Sequence, residues 1–306
     1  MNKDIKIIFM GTPLFGVNVL EKLNQEYDIV LVVTQPDKRG KRGSSLVSSP
    51  VKEYALSHNL RLFQPENIKE DNMDILDTYC DFIVTAAYGQ FIPKVVLKHP
   101  KYNILNVHGS ALPKYRGGAP IQRAIMNGDS YLGVTIMNTI SKMDAGDTYH
   151  TTLVKLEDSD TTSSMMDKLS KVGREDLINV IDKIYSGEDI KATPQDESLA
   201  TYSPNITKDE EYLDWSEDAL TLHNKVRALY DDPIAKLNHK GTIYKVYKTR
   251  VVETESDALP GTILDNNKEL IIKCGKKALS ILEIQSPGKG VLKISDFLNG
   301  KRKEFS

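Results

Sequence analysis

Apolar residues in the first third of the chain come in short bursts, at residues 5–10, 29–34, 61–63, 82–86 and 104–107. Each burst is rich in Ile, Val and Phe and bounded by turn residues, so each predicts a buried strand. Helical spacing fills several of the gaps. One such stretch is residues 14–24 and another is 51–58, the latter opened by Ser49 as cap and Pro50 at the first helical position. Strands that alternate with helices predict an α/β fold, a Rossmann-like, mostly parallel sheet with helices on both faces.

The pattern changes further along. After Gly133-Val-Thr-Ile-Met137 come a loop through Asp144, a β-like run at 148–156 and a long amphipathic helix over about 162–185. Residues 192–208 are rich in Thr, Ser, Pro and Asp and carry no period, which predicts a linker. A helix at 216–230 then precedes β runs at 243–252, 261–264, 269–273 and 278–285, the spacing of a small, open, OB-like β-barrel. The expected division is therefore a catalytic domain at 1–191, a linker at 192–208 and a barrel-like domain at 209–306. A length of 306 residues is enough for two cores.

Composition narrows the function classes only a little. With 40% hydrophobic and 27% charged residues and a net charge of -2, the chain reads as an ordinary globular protein. No stretch approaches the roughly 18 apolar residues of a membrane span, and the opening MNKDIKIIFMG reads as a first strand rather than a signal peptide. A cytoplasmic protein without a membrane partner is expected. Cys80 and Cys274 stand alone, and the six histidines lack H-x-x-x-H spacing, so neither a disulfide framework nor a metal site is expected. Gly11-Thr-Pro-Leu-Phe-Gly16 follows the first strand but has neither the G-x-G-x-x-G spacing nor the lysine of a phosphate loop.

The segment with the densest chemistry is Asn106-Val-His108-Gly-Ser110-Ala-Leu-Pro113-Lys-Tyr-Arg116-Gly-Gly-Ala-Pro120-Ile-Gln122. Asn106 and His108 are two residues apart at a strand end, so their side chains share one face. The glycines and prolines that follow describe a loop whose backbone can come close to a ligand, ending in a helix near Ala119. Asp144, in Met143-Asp-Ala-Gly-Asp147, lies in a turn that can bring a carboxylate to His108. An isolated N-x-H pair would better fit a role in satisfying loop backbone, and it is the length and density of this segment that reverse the balance. Together the three types suit acyl transfer to an amine: a fixed amide or imidazolium stabilises the developing oxyanion, and a carboxylate orients the ring and helps to remove a proton.

Several segments resemble the formyltetrahydrofolate-dependent formyltransferase superfamily, over essentially the whole chain. They are Phe9-Met-Gly-Thr-Pro13, Val33-Thr-Gln-Pro-Asp37, Ala87-Tyr-Gly89 with Ile92-Pro93, the run from Asn106 to Gln122, Gly133-Val-Thr-Ile-Met137, Met143-Asp-Ala-Gly-Asp147 and Asp214-Trp215. The resemblance implies Asn106, His108 and Asp144 as catalytic residues and 10-formyltetrahydrofolate as co-substrate, with no metal. It places the folate beside Ser110, Ala111, Leu112 and Pro113, and its pteridine near Tyr88, Gly89, Gln90, Phe91 and Ile92. It further implies methionyl initiator tRNA as acceptor and a monomer, with an amino sugar nucleotide or other small amine as the alternative acceptor. The basic loop of Lys38, Arg39, Lys41 and Arg42 matches the family's insertion toward the tRNA acceptor arm, more loosely than the other segments. From Lys236 onward basic residues exceed acidic ones by about six, which suits an RNA backbone. Trp215, the sole tryptophan, is expected to pack between domains.

Overall fold

The computed structural model describes residues 2–39 and 46–305. In chain order the first elements are β1 (Lys6–Gly11), α1 (Leu14–Glu26), β2 (Asp28–Val33), β3 (Lys38–Arg39), β4 (Leu46–Val47), α2 (Pro50–Ser57), β5 (Leu62–Phe63) and α3 (Met73–Leu76). They are followed by β6 (Phe82–Ala86), α4 (Lys94–Leu97), β7 (Ile104–His108), α5 (Pro120–Met126), β8 (Tyr131–Asn138), β9 (Thr148–Lys155) and α6 (Thr162–Ser186). Seven of these strands form one sheet in the order β5-β2-β1-β6-β7-β8-β9. Pairing is parallel from β5 through β7 and antiparallel for β8 and β9.

The bursts of apolar residues are buried on both sides, because each parallel strand is covered on both faces. Ile8, Met10, Ile83 and Ile104 share one face with Ile75 of α3 and Val96 of α4. Val107 faces the other way, where Gly173 of α6 lies so close that a Cβ would meet Val107 Cγ1 at 2.9 Å and Val134 Cγ2 at 2.6 Å. This alternation leaves Asn106 and His108 on the face of Ile104, at the carboxyl end of β7. In an open parallel sheet that is the edge where ligands bind.

The chain forms two compact units, one made of residues up to Pro120 with 131–155 and 166–203, the other of 121–130, 156–165 and the chain from Pro204. The second unit contains α7 (Ala219–Ala228), β10 (Ala235–His239), β11 (Thr242–Val252), β12 (Ile263–Asp265), β13 (Leu270–Lys273), β14 (Ala278–Gln285), β15 (Val291–Lys293) and α8 (Ile294–Lys301). Its strands run in the order β10-β11-β14-β13-β12, with β15 on β14, and every pairing is antiparallel. The sheet is open, since β10 and β12 end the order. Trp215, expected between domains, packs against this unit's own core of Leu222, Tyr244 and Phe297. Of the stretch expected as a linker, residues up to Ser203 belong to the first unit.

Candidate active site

β7 ends at His108, and the loop that follows is pinned to the antiparallel strand beside it. His108 pairs with Thr135 of β8. The Thr135 hydroxyl donates to the Ser110 carbonyl at 2.7 Å and accepts from the Leu112 N–H at 3.3 Å. Ala111 sits directly on Gly133, where any Cβ would approach Ala111 N at 2.5 Å, so a glycine is required by the close approach of two backbones. Ser110 turns its hydroxyl inward to the Lys114 carbonyl at 2.6 Å, and the Leu112–Pro113 peptide is cis. Ser110 is thus spent on the loop, while Ala111, Leu112 and Pro113 are partly exposed along it.

The next three residues gather the polar groups. Tyr115 O accepts from His108 Nε2 at 3.1 Å, and the Gly117 N–H donates to Asp144 Oδ2 at 2.8 Å. A carbonyl can only accept, so Nε2 carries the proton and the neutral ring presents the Nδ1 lone pair. Nδ1 faces Asp144 Oδ1 at 3.9 Å, too far for a direct hydrogen bond and close enough for a strong charge interaction if the ring is protonated. His108 is buried and Asp144 nearly so. Asp144 adopts a left-handed backbone, φ 48°. Short polar side chains such as Asp are among the few that tolerate it. Asn106 lies one alternation back on the same face, half-buried, and its amide has no side-chain hydrogen bond among the described residues.

Four residues to which sequence reasoning gave no role, Arg116, Gln195, Glu197 and Ser203, hold this arrangement. Arg116 is completely buried and donates to Gln195 and Glu197. Arg116 first and Lys142 second hold the Glu197 carboxyl down to about 2. Ser203 Oγ donates to the carbonyls of Tyr115 and Arg116 at 3.0 and 3.1 Å. Gln195, Glu197 and Ser203 fall in the aperiodic stretch, where only polar composition marked them.

The expected pteridine loop leaves the adjoining strand, β6, whose Thr85 pairs with Asn106. Tyr88 is buried, its carbonyl fixed by Thr12 Oγ1 at 2.9 Å and Gln35 Nε2 at 3.0 Å. Burial pushes its phenol up in pKa, and the hydroxyl has no partner among the described residues. Gly89 and Phe91 are exposed and Ile92 is buried. The Gln90 side chain is engaged with the preceding loop, accepting from Ile68 N–H and donating to Pro65 O. Lys38 and Arg39 are exposed in β3, which pairs with β4 as a short hairpin. Lys41 and Arg42 lie outside the described residues. Among the described residues no cluster of His, Cys, Asp and Glu is arranged to hold a metal, and no helix is long and apolar enough to cross a membrane.

The sheet thus brings a His–Asp pair and an asparagine amide together at its carboxyl edge. Residues 5–181 match the formyl transferase family and residues 205–302 match the formyl transferase C-terminal domain, so the chain belongs to the formyl transferase family. Among its relatives are the methionyl-tRNA formyltransferases of Lactobacillus delbrueckii subsp. bulgaricus and Lactobacillus gasseri, 45% and 42% identical over 304 residues, 98% of this chain and 96% of each relative. Among solved structures, HypX from Aquifex aeolicus in complex with tetrahydrofolic acid is similar at a TM-score of 0.64 and 19% identity. That match covers 97% of this chain and 47% of HypX, so the chain spans about half of that protein, and the likeness is one of fold.

Proposed function

We propose that this formyltransferase moves the formyl group of 10-formyltetrahydrofolate to the free amino group of methionyl initiator tRNA, acting as a cytoplasmic monomer. Near full-length identity of 42–45% to two methionyl-tRNA formyltransferases supports the acceptor. The observation that carries the mechanism is the unpaired Nδ1 face of His108, 3.9 Å from Asp144 and on the same strand face as the free Asn106 amide.

In this reading the acceptor amine is the nucleophile, and no side chain needs to form a covalent bond. Its ammonium proton passes to His108 Nδ1, and the imidazolium so formed is paired with Asp144. The amine nitrogen then attacks the formyl carbon and the carbonyl oxygen becomes an oxyanion, which the Asn106 amide and the imidazolium stabilise. As the bond to N10 of the folate breaks, His108 returns its proton to that nitrogen, and the attacking nitrogen, positively charged after its attack, releases its second proton to solvent to leave the neutral formamide. The folate lies along Ala111 to Pro113, with its pteridine toward the loop of Tyr88 to Ile92. Lys38 and Arg39, with Lys41 and Arg42 beyond them, meet the tRNA backbone.

The test offers purified protein and 10-formyltetrahydrofolate either charged initiator tRNA or amino sugar nucleotides, and follows tetrahydrofolate release. Turnover is expected with the tRNA, with a KM for tRNA that rises steeply with salt while that for the folate does not. Turnover with the sugar nucleotide alone would overturn the acceptor.

A further inference from the structure

The three consecutive residues 115–117 contact the two sides of the proposed proton-handling pair, and the side chain in their middle leads away to a second strut. Arg116 is buried without any exposed surface, so its charge requires hydrogen-bonding partners around it. Its fork meets Glu197 through Nη1 to Oε2 and Nη2 to Oε1, both at 3.1 Å. Nε and Nη2 both donate to Gln195 Oε1, at 3.1 and 2.8 Å.

That pairing fixes the orientation of the Gln195 amide, because a guanidinium offers no acceptor. Oε1 must face Arg116 and Nε2 must face the opposite way. There Nε2 donates to the carbonyls of Asp144 at 2.9 Å and Gly146 at 2.7 Å. Asp144 is therefore gripped twice, at its carboxylate by the Gly117 N–H and at its carbonyl by Gln195. Both grips lead back to Arg116, one through the main chain and one through its side chain.

We propose that Gln195, locked in orientation by Arg116, is a positioning residue that sets the spacing between Asp144 and His108. It touches neither substrate nor the reacting atoms and acts only through the turn at 144–146. The inference rests on the reading of Asp144 and His108 as the proton-handling pair. A misplacement of about 1 Å in a catalytic group costs on the order of 100-fold.

The discriminating variant is Gln195→Glu, which keeps the volume and the oxygen toward Arg116 but replaces both donors with an oxygen that repels the two carbonyls. Expected is a fall in kcat on the order of 100-fold, with KM for both substrates little changed and thermal melting close to that of the parent. In an Asp144→Asn background, followed in single turnover with enzyme in excess, the same change is expected to have no further effect. Gln195→Met repeats the measurement without introducing a charge, should the glutamate variant fail to fold. Unchanged kcat in a folded variant, or a loss that is equal in the Asp144→Asn background, would overturn the positioning role. If Asp144→Asn itself runs at the parental rate, the reading of the pair has failed, which is a different result from a slow Asp144→Asn beside an unimpaired Gln195→Glu.

Discussion

One nitrogen of His108 is committed to Tyr115 O and the other is open, and this asymmetry decides what the ring can do. A ring fixed at Nε2 exchanges its proton at Nδ1, on the side of Asp144. Removal of an oxyanion donor costs roughly 100–1,000-fold in kcat, and loss of a general base about 100–10,000-fold. Asn106→Ala and His108→Ala are expected to fall within those ranges, with folding intact by circular dichroism. Near-normal rates for both would remove the proposed mechanism. Asn106 and His108 were legible because a strand repeats every two residues, so the spacing alone puts them on one face. Gln195 was not legible: it owes its place to hydrogen bonds with residues about 50 and 80 positions away, and nothing local records them.

α2 begins at Pro50, shortly after β4, and the residues at its start are tied to residues that precede β3. Ser49 caps α2 by accepting from the Lys52 N–H at 3.1 Å and also meets Thr34 Oγ1 at 2.8 Å, beyond the end of β2. Lys52 in turn holds Asp37, next to the first basic residue of the hairpin, at 2.6 Å. Ser49→Ala is expected to cost about 1 kcal/mol of stability, read from urea unfolding, and to raise KM for tRNA more than KM for folate. An equal effect on the two KM values would separate the cap from the hairpin. The cap and the proline after it were readable from sequence, as was α6, whose long amphipathic period matches Thr162–Ser186 closely. β10, β15 and α8 were not separated out. β10, Ala-Lys-Leu-Asn-His, has no Val, Ile, Thr, Tyr, Phe or Trp to mark it as a strand, β15 has only three residues, and α8 is an eight-residue helix without a side-chain cap.

At the scale of the whole molecule, acid should weaken the fold through a few paired carboxylates. Glu210 is held down to about 2, first by Arg123, which it meets at 2.5 and 3.1 Å, and then by the Thr207 N–H. Its folded value lies below the ordinary 4.5. The contribution is therefore complete above about 4.5 and is lost as pH falls toward about 2. Glu210→Gln is expected to lower stability at neutral pH and to flatten the decline in urea midpoint across that window. An unchanged slope would assign the acid sensitivity to other groups.

The division of the chain into units has a consequence for anyone who exchanges parts between relatives. The second unit is not a tail that begins at Pro204: it also includes residues 121–130 and 156–165, which sit within the span that precedes it in sequence. Arg123 reaches Glu210 and the carbonyls of Pro204 and Asn205, Thr162 donates to Ala228 O, and Arg227 donates to the carbonyls of Glu157 and Asp160. A chimaera joined at Pro204 would therefore give the incoming C-terminal half a foreign helix start and foreign partners for both arginine clusters. A fusion that carries residues 121–130 and 156–165 along with the C-terminal half would keep these partners together, so an exchange between relatives needs seams at both ends of each of those two insertions as well as at Pro204.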